Sequence, residues 1–142
     1  MNRESVAKVL ILNEKSEALI LTTGEYKEHP EKEHKPDLPG GRVEDGEAEM
    51  LAAIREVAEE AGITLDPKDV NLYYSETKFY EAEGKSVTKL LYLAQLALTP
   101  AVTISWEHEA YAWIPFGTIL QTHELRPFYK EAIEYVQNNQ LI

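Results

Sequence analysis

Apolar residues fall along this chain in blocks whose period changes with position. Ser5 to Asn13 is a nearly unbroken run rich in Val, Leu and Ile, the pattern of a strand buried on both faces. Polar Glu14 to Ser16 makes a turn, and Ala18 to Thr23 predicts a second strand, the hairpin partner of the first. Glu25 to Asp37 is polar, carries His29-Pro30 and Lys35-Pro36, and reads as an exposed loop. From Glu47 to Ala61 the period becomes helical. Gly46 or Asp45 is placed to cap its start, Glu47 and Glu49 suit the positive end of the dipole, and Gly62 suits the residue just past the end. Asn71 to Glu81 and Ser86 to Leu98 predict a hairpin about Glu83-Gly84. Ala110 to Pro115 predicts a short strand. Pro127 can open a last helix with Phe128, Ala132, Tyr135 and Val136 on one side. Strands before, between and after two helices predict an α/β fold, a mixed sheet flanked by helices.

Length adds that this is one domain: 142 residues bury enough surface to fold without a disulfide or metal staple. The chain has no Cys, which removes disulfide scaffolds, thiolate metal sites and Cys nucleophiles, and fits a reducing compartment. Asp and Glu number 25 against 14 Lys and Arg, a net charge of −11. That balance argues against a stable nucleic-acid partner held through phosphates and against an anionic membrane surface. No apolar run reaches the length of a signal-peptide core or a membrane span. The expectation is a cytoplasmic protein.

Charge matters most on the first helix. At about 100° per residue, Met50, Leu51, Ile54, Val57, Ala58 and Ala61 share one arc, the predicted core face. Glu56, Glu59 and Glu60 share the opposite arc, with Ala52 and Ala53 continuing it and leaving room above the carboxylates. Like charges at this spacing, near the negative end of the dipole, each cost an isolated helix roughly 0.2–1 kcal/mol. A solvated acidic face is the plain account of such a cluster. Three hard oxygen donors on one face also suit Mg²⁺ or Mn²⁺.

The surrounding string favours the second account. Gly41 is followed after five residues by Glu47, and seven residues later comes Arg55-Glu56-Val57-Ala58-Glu59-Glu60-Ala61-Gly62-Ile63. These are all the defined positions of the Nudix box, and a chance match is on the order of 10⁻⁷ per chain. The chain therefore resembles a Nudix hydrolase, with Leu38-Pro39-Gly40 and Arg42 to Gly46 adding to the likeness. The resemblance implies an α/β/α sandwich. It implies Glu56, Glu59 and Glu60 as metal ligands, with the Gly40 carbonyl as another. It implies that Arg55 pairs with Glu47 and holds the loop of the box against its helix. Glu107-His108-Glu109-Ala110-Tyr111-Ala112-Trp113 is similar to the late acidic segment of several Nudix subfamilies. There the first Glu is a metal ligand or general base, which maps onto Glu107 with Glu109 second. Glu56 and Glu107 remain alternative bases. Tyr111 and Trp113 are expected in the core.

The substrate implied is a nucleoside diphosphate linked to another moiety, cleaved with a divalent ion. Tyr80, 17 residues after Ile63, and the late acidic segment resemble relatives that cleave dinucleoside polyphosphates. A nucleoside triphosphate is the other class. Arg42 could reach a phosphate. Tyr26, Lys27, His29, Lys32, His34 and Lys35 could supply cations and stacking, or be a solvated loop. Lys78, Lys85 and Lys89 carry the same ambiguity. No zinc spacing links His29, His34, His108 and His123. A Nudix-fold nucleotide sensor without catalysis is the alternative. Such domains usually lose box carboxylates, and this chain keeps them. A homodimer is open, with no interface predicted.

Overall fold

The computed structural model describes residues 1–142. Seven strands and two helices follow in the order β1 (Asn2–Leu12), β2 (Glu17–Thr23), β3 (Pro36–Asp37), β4 (Gly40–Arg42), α1 (Glu49–Ala61), β5 (Val70–Tyr80), β6 (Lys85–Gln95), β7 (His108–Pro115) and α2 (Pro127–Asn138). β1 runs parallel to β6 along its whole length, from Asn2 opposite Lys85 to Leu12 opposite Gln95. β6 in turn pairs antiparallel with β5, with a bulge between Leu72 and Tyr74. The sheet is mixed, as the two-helix pattern predicts.

Alternation along the central strands explains their continuous apolar runs. Ala7, Val9 and Ile11 of β1, Leu19 and Leu21 of β2, and Leu90, Tyr92 and Ala94 of β6 pack under α1 with Ala53, Val57 and Ala61. Leu10, Leu12, Ala18, Ile20, Leu91 and Leu93 point the other way, onto Phe128, Tyr129, Ala132 and Ile133 of α2. Both faces of these strands are covered, so both are predominantly apolar. The architecture is the α/β/α sandwich expected.

The predicted β1–β2 hairpin departs from expectation in a way that matters. The two strands pair only at Leu12 and Ala18. Beyond that point they splay, and the segment 36–42 fills the fork. β3 pairs with β2, opposing Asp37 to Leu21. β4 pairs with β1, opposing Gly40 to Lys8. The stretch read as an exposed loop thus ends inside the sheet, where Asp37 is buried. Its middle remains irregular apart from a turn of 3₁₀ helix at Pro30–Lys32. Thr23 ties it down: its Oγ1 donates to Lys32 O at 2.6 Å and accepts from Lys35 N–H at 2.8 Å.

Three other expectations need correction. Helix α1 starts at Glu49, with Ala48 at the cap position and no side-chain cap, not at a Gly46 or Asp45 cap. Glu47 is drawn elsewhere, onto Arg55. The far end agrees: Gly62 adopts φ 68°, and its N–H donates to Ala58 O at 3.1 Å. The buried arc is also rotated from the predicted one. Leu51 and Ala58 are exposed, whereas Ala52, Ala53 and Glu60 are buried. The small residues do not leave room above the carboxylates. They let α1 lie close on the sheet at the fork. Finally, Trp113 is only partly buried against the α1-side core and Tyr111 is exposed, because β7 pairs with β2 alone and lies at the sheet border. On α2, Tyr129 and Ile133 join the buried stripe, while Tyr135 is 43% exposed and its ring lies tilted against Tyr74, centroids 5.6 Å apart.

Candidate active site

The fork between β1 and β2 opens into a cavity of about 490 Å³. Glu56, Glu59 and Glu60 from α1 line it together with Glu107, the Gly40–Arg42 backbone, Tyr26, Lys8, Lys32 and Arg126. Of the residues singled out from sequence, Gly40, Arg42, Tyr26, Glu56, Glu59, Glu60 and Glu107 meet here. Tyr80 does not. It ends β5 with its ring under Lys85 Nζ at 5.9 Å. Glu109 also lies outside the lining and pairs with His34 Nδ1 at 2.6 Å.

Two glycines set how close the β4 backbone comes. Gly40 has φ 132°, and a Cβ there would sit 2.2 Å from Ala7 O. At Gly41 a Cβ would lie 2.6 Å from the Glu56 carboxyl group. Only glycine permits the first approach, and a side chain at position 41 would push the Glu56 carboxyl group aside.

Arg55 organises the half-exposed wall. Its Nε and one Nη donate to the two Glu47 oxygens at 2.8 and 3.0 Å, a bidentate pair. The same Nη donates to Arg42 O at 3.2 Å. The other Nη donates to Glu56 at 3.1 Å and to Glu59 at 3.3 Å. Arg55 hydrogen bonding, then a backbone bond from Glu44, holds the Glu47 carboxyl down at about 2. Glu56 moves the other way: burial raises its pKa against the pull of Arg55, and the charges of Glu59 and Glu107 add to the rise.

A second cation stands deeper, and sequence reasoning missed it. Lys8 Nζ donates to Asp37 Oδ1 at 3.2 Å, to Leu38 O at 3.1 Å and to Gly40 O at 3.1 Å. Asp37 also accepts from Tyr129 O–H at 2.7 Å and lies 3.2 Å from His108 Nε2. Burial alone would lower the Lys8 pKa, but Asp37, Tyr129 and Glu60 overcome it and hold the ammonium well above its usual value. Burial likewise pushes Asp37 up, and Lys8, His108 and Tyr129 outweigh it and keep the carboxylate ionised. Glu60 lacks such a partner. Burial lifts it to about 7 despite Lys8, and its carboxylate accepts from Gly40 N–H at 3.3 Å. One signal for this cluster was present in the sequence: Lys8 is the single charge in the apolar stretch Val6 to Leu12.

The donor set suits a hard divalent cation, since it is all oxygen and two of its carboxylates are costly to ionise where they stand. No three His, Asp or Glu side chains converge on one point, because Arg55 draws Glu56 and Glu59 while Gly40 holds Glu60.

The chain is similar to known proteins to different extents. The chain is 43% identical over 75 residues to a bis(5'-nucleosyl)-tetraphosphatase [asymmetrical] of Caenorhabditis elegans, covering 53% of this chain and 54% of that protein. It is 35% identical over 89 residues to the Sus scrofa protein of the same name, covering 62% and 60%. The matched stretches thus span little more than half of these relatives. Among solved structures, a MutT protein from Methanosarcina mazei Go1 superposes with a TM-score of 0.80 at 26% identity, over 98% of this chain and 96% of that one. A C. elegans Ap4A hydrolase binary complex gives 0.72 at 27% identity, over 97% and 98%. The model of the NUDIX domain matches residues 1–136, nearly the whole chain, and this protein belongs to the Nudix hydrolase family.

Proposed function

We propose that the protein hydrolyses a diphosphate linkage in a nucleoside diphosphate joined to another moiety, with dinucleoside polyphosphates the favoured class. The observation that carries this reading is the cavity at the fork. Its lining includes Glu56, Glu59, Glu60 and Glu107 together with Lys32 and Arg126, a mixture of acidic and basic groups that suits a metal-bridged polyphosphate. Relatives named as asymmetrical bis(5'-nucleosyl)-tetraphosphatases support the substrate class.

Glu56, Glu59, Glu60 and Glu107, with the Gly40 carbonyl, would hold Mg²⁺ or Mn²⁺. When bound, such an ion neutralises phosphate oxygens and lowers the pKa of bound water. The chain's own groups do the rest. Lys32, Arg42 and Arg126 bind the phosphates that the net charge of −11 would otherwise repel. Arg42 is exposed and pairs with Glu4 at 3.2 Å, a contact it exchanges for a phosphate at little cost. Tyr26 borders the same space and can lie against the nucleoside. Glu56 and Glu107 are the carboxylates for taking a proton from the attacking water. The elevated pKa of Glu56 improves it as an acceptor. Arg55 positions Glu56 and does not touch substrate.

The test is hydrolysis of dinucleoside polyphosphates, ADP-ribose, sugar nucleotides and nucleoside triphosphates with Mg²⁺ and Mn²⁺, products being resolved by chromatography. Turnover of one class, lost in Glu59→Gln at limiting Mg²⁺, is expected. Metal-dependent nucleotide binding without turnover of any compound would overturn the reading in favour of a sensor.

A further inference from the structure

One border of the sheet is left open. β5 is the last strand on its side, and its backbone bonds only to β6. The strand is long, 11 residues, and most of it is exposed. Phe79 is 66% exposed and Leu72 51%. Such an edge is a template for another strand unless something blocks it.

The residues along that edge select the partner. After the bulge between Leu72 and Tyr74, the strand reads Tyr74-Ser75-Glu76-Thr77-Lys78-Phe79-Tyr80. This segment is complementary to itself when reversed. We propose that β5 pairs antiparallel with β5 of a second copy of this chain, about a two-fold axis through Thr77. Glu76 of each copy then lies opposite Lys78 of the other, and Tyr74 opposite Tyr80, all on one face. Thr77 meets its own copy and Ser75 faces Phe79 on the other. Opposite charges and aromatic pairs at directly opposed positions are the units that stabilise a sheet. A two-fold interface requires this self-complementarity. Moving the axis by one residue, to Glu76 or to Lys78, sets like charges against each other, and of the registers centred on Ser75 to Phe79 only the axis at Thr77 sets Glu76 against Lys78.

Two further observations agree. Glu76 Oε1 is buried yet has no hydrogen-bond partner, and Lys78 Nζ of its own strand stands 3.7 Å away, beyond hydrogen-bonding reach. The Lys78 ammonium from a facing copy supplies that partner. The bulge also bends the strand where the self-complementary segment begins, confining the pairing to Tyr74–Tyr80. The opposite border, β7, has no equivalent: it carries Glu109 with no Lys or Arg, so no register of self-pairing balances its charge.

Sedimentation equilibrium from micromolar to submillimolar protein tests this. The expected mass rises from the 16.2 kDa monomer towards twice that value. Lys78→Glu alone, which sets Glu against Glu, holds the protein at the monomer mass, and the double reversal Glu76→Lys/Lys78→Glu restores association. Circular dichroism of each variant separates lost pairing from lost folding. Because the chain has no Cys, Thr77→Cys under a mild added oxidant gives a disulfide-linked dimer, its two residues facing across the axis. Ser75→Cys gives none. A wild-type mass of one chain throughout, or a double reversal that fails to restore association while remaining folded, or equal cross-linking at Ser75 and Thr77, overturns the proposal.

Discussion

Two cations, Lys8 in the lining of the cavity and Arg55 behind its Glu56 and Glu59, sit among acidic groups and are built on different terms. Arg55 is half-exposed on α1 and reaches Glu47, Glu56 and Glu59 through a fork of donors. Lys8 is almost fully buried in β1 and is held by Asp37 and two carbonyls. Water screens the first network, so each of its contacts contributes little by itself, and what it supplies is geometry. Water screens the second far less. Its charges are mostly removed from water and depend on each other, so removing one partner strands the other.

Variants can pull this comparison apart. The largest effect is expected at the buried pair. Lys8→Met or Asp37→Asn costs about 3–5 kcal/mol in denaturant melts, and the double variant recovers part of the loss, which a mutant cycle measures. Acid unfolding carries the same signature. Asp37 is depressed in the folded protein, so its contribution is full above the ordinary value of 3.8 and is lost as pH falls below it. Asp37→Asn removes that acid-side dependence. Glu60 has the opposite sign. Raised to about 7, its contribution is full below 4.5 and lost as pH rises through 7. In chelator at pH 8, Glu60→Gln therefore raises stability by about 2 kcal/mol and changes little at pH 4. Arg55→Ala is expected to cost about 1 kcal/mol, with a larger proportional loss of turnover because Glu56 loses its anchor. An unchanged melting temperature would remove Arg55 from its role in holding the loop. The smallest effect is at Leu51→Glu, within about 0.5 kcal/mol, because Leu51 faces solvent.

The Leu51 prediction shows what could be read in advance. The box lies within 23 consecutive residues, so the helix, its terminal Gly62 and its acidic side were legible together. The face it buries was not, because the periodic arc counts Leu51 and Ala58 as core. Which alanines are covered depends on how closely the Gly40–Gly41 backbone lets α1 approach. Strands β1, β2, β5 and β6 were legible from apolar runs, but the fork was not: a turn signal at Glu14 to Ser16 reports where pairing begins, not that it stops after Leu12 and Ala18. Lys8, Asp37, His108 and Tyr129 come from four separate elements, and no spacing in the chain links them. Tyr80 had a spacing in its favour, yet the sheet carries it to the far border.

The parallel pairing of β1 with β6 has a consequence for how the chain is made. Leu12 cannot take its place until Gln95 has been synthesised, and at roughly 5–20 residues per second that interval is on the order of ten seconds. Throughout it Val9 to Leu12, among the most apolar residues in the protein, has only a single rung of hairpin with β2 to occupy it. Both walls of the cavity wait on the same event, since β4 pairs on the strand that β6 must secure. A ribosome releasing this chain therefore exposes a sticky strand early and completes the fork late, which makes the emerging chain, more than the finished one, the form at risk of aggregation.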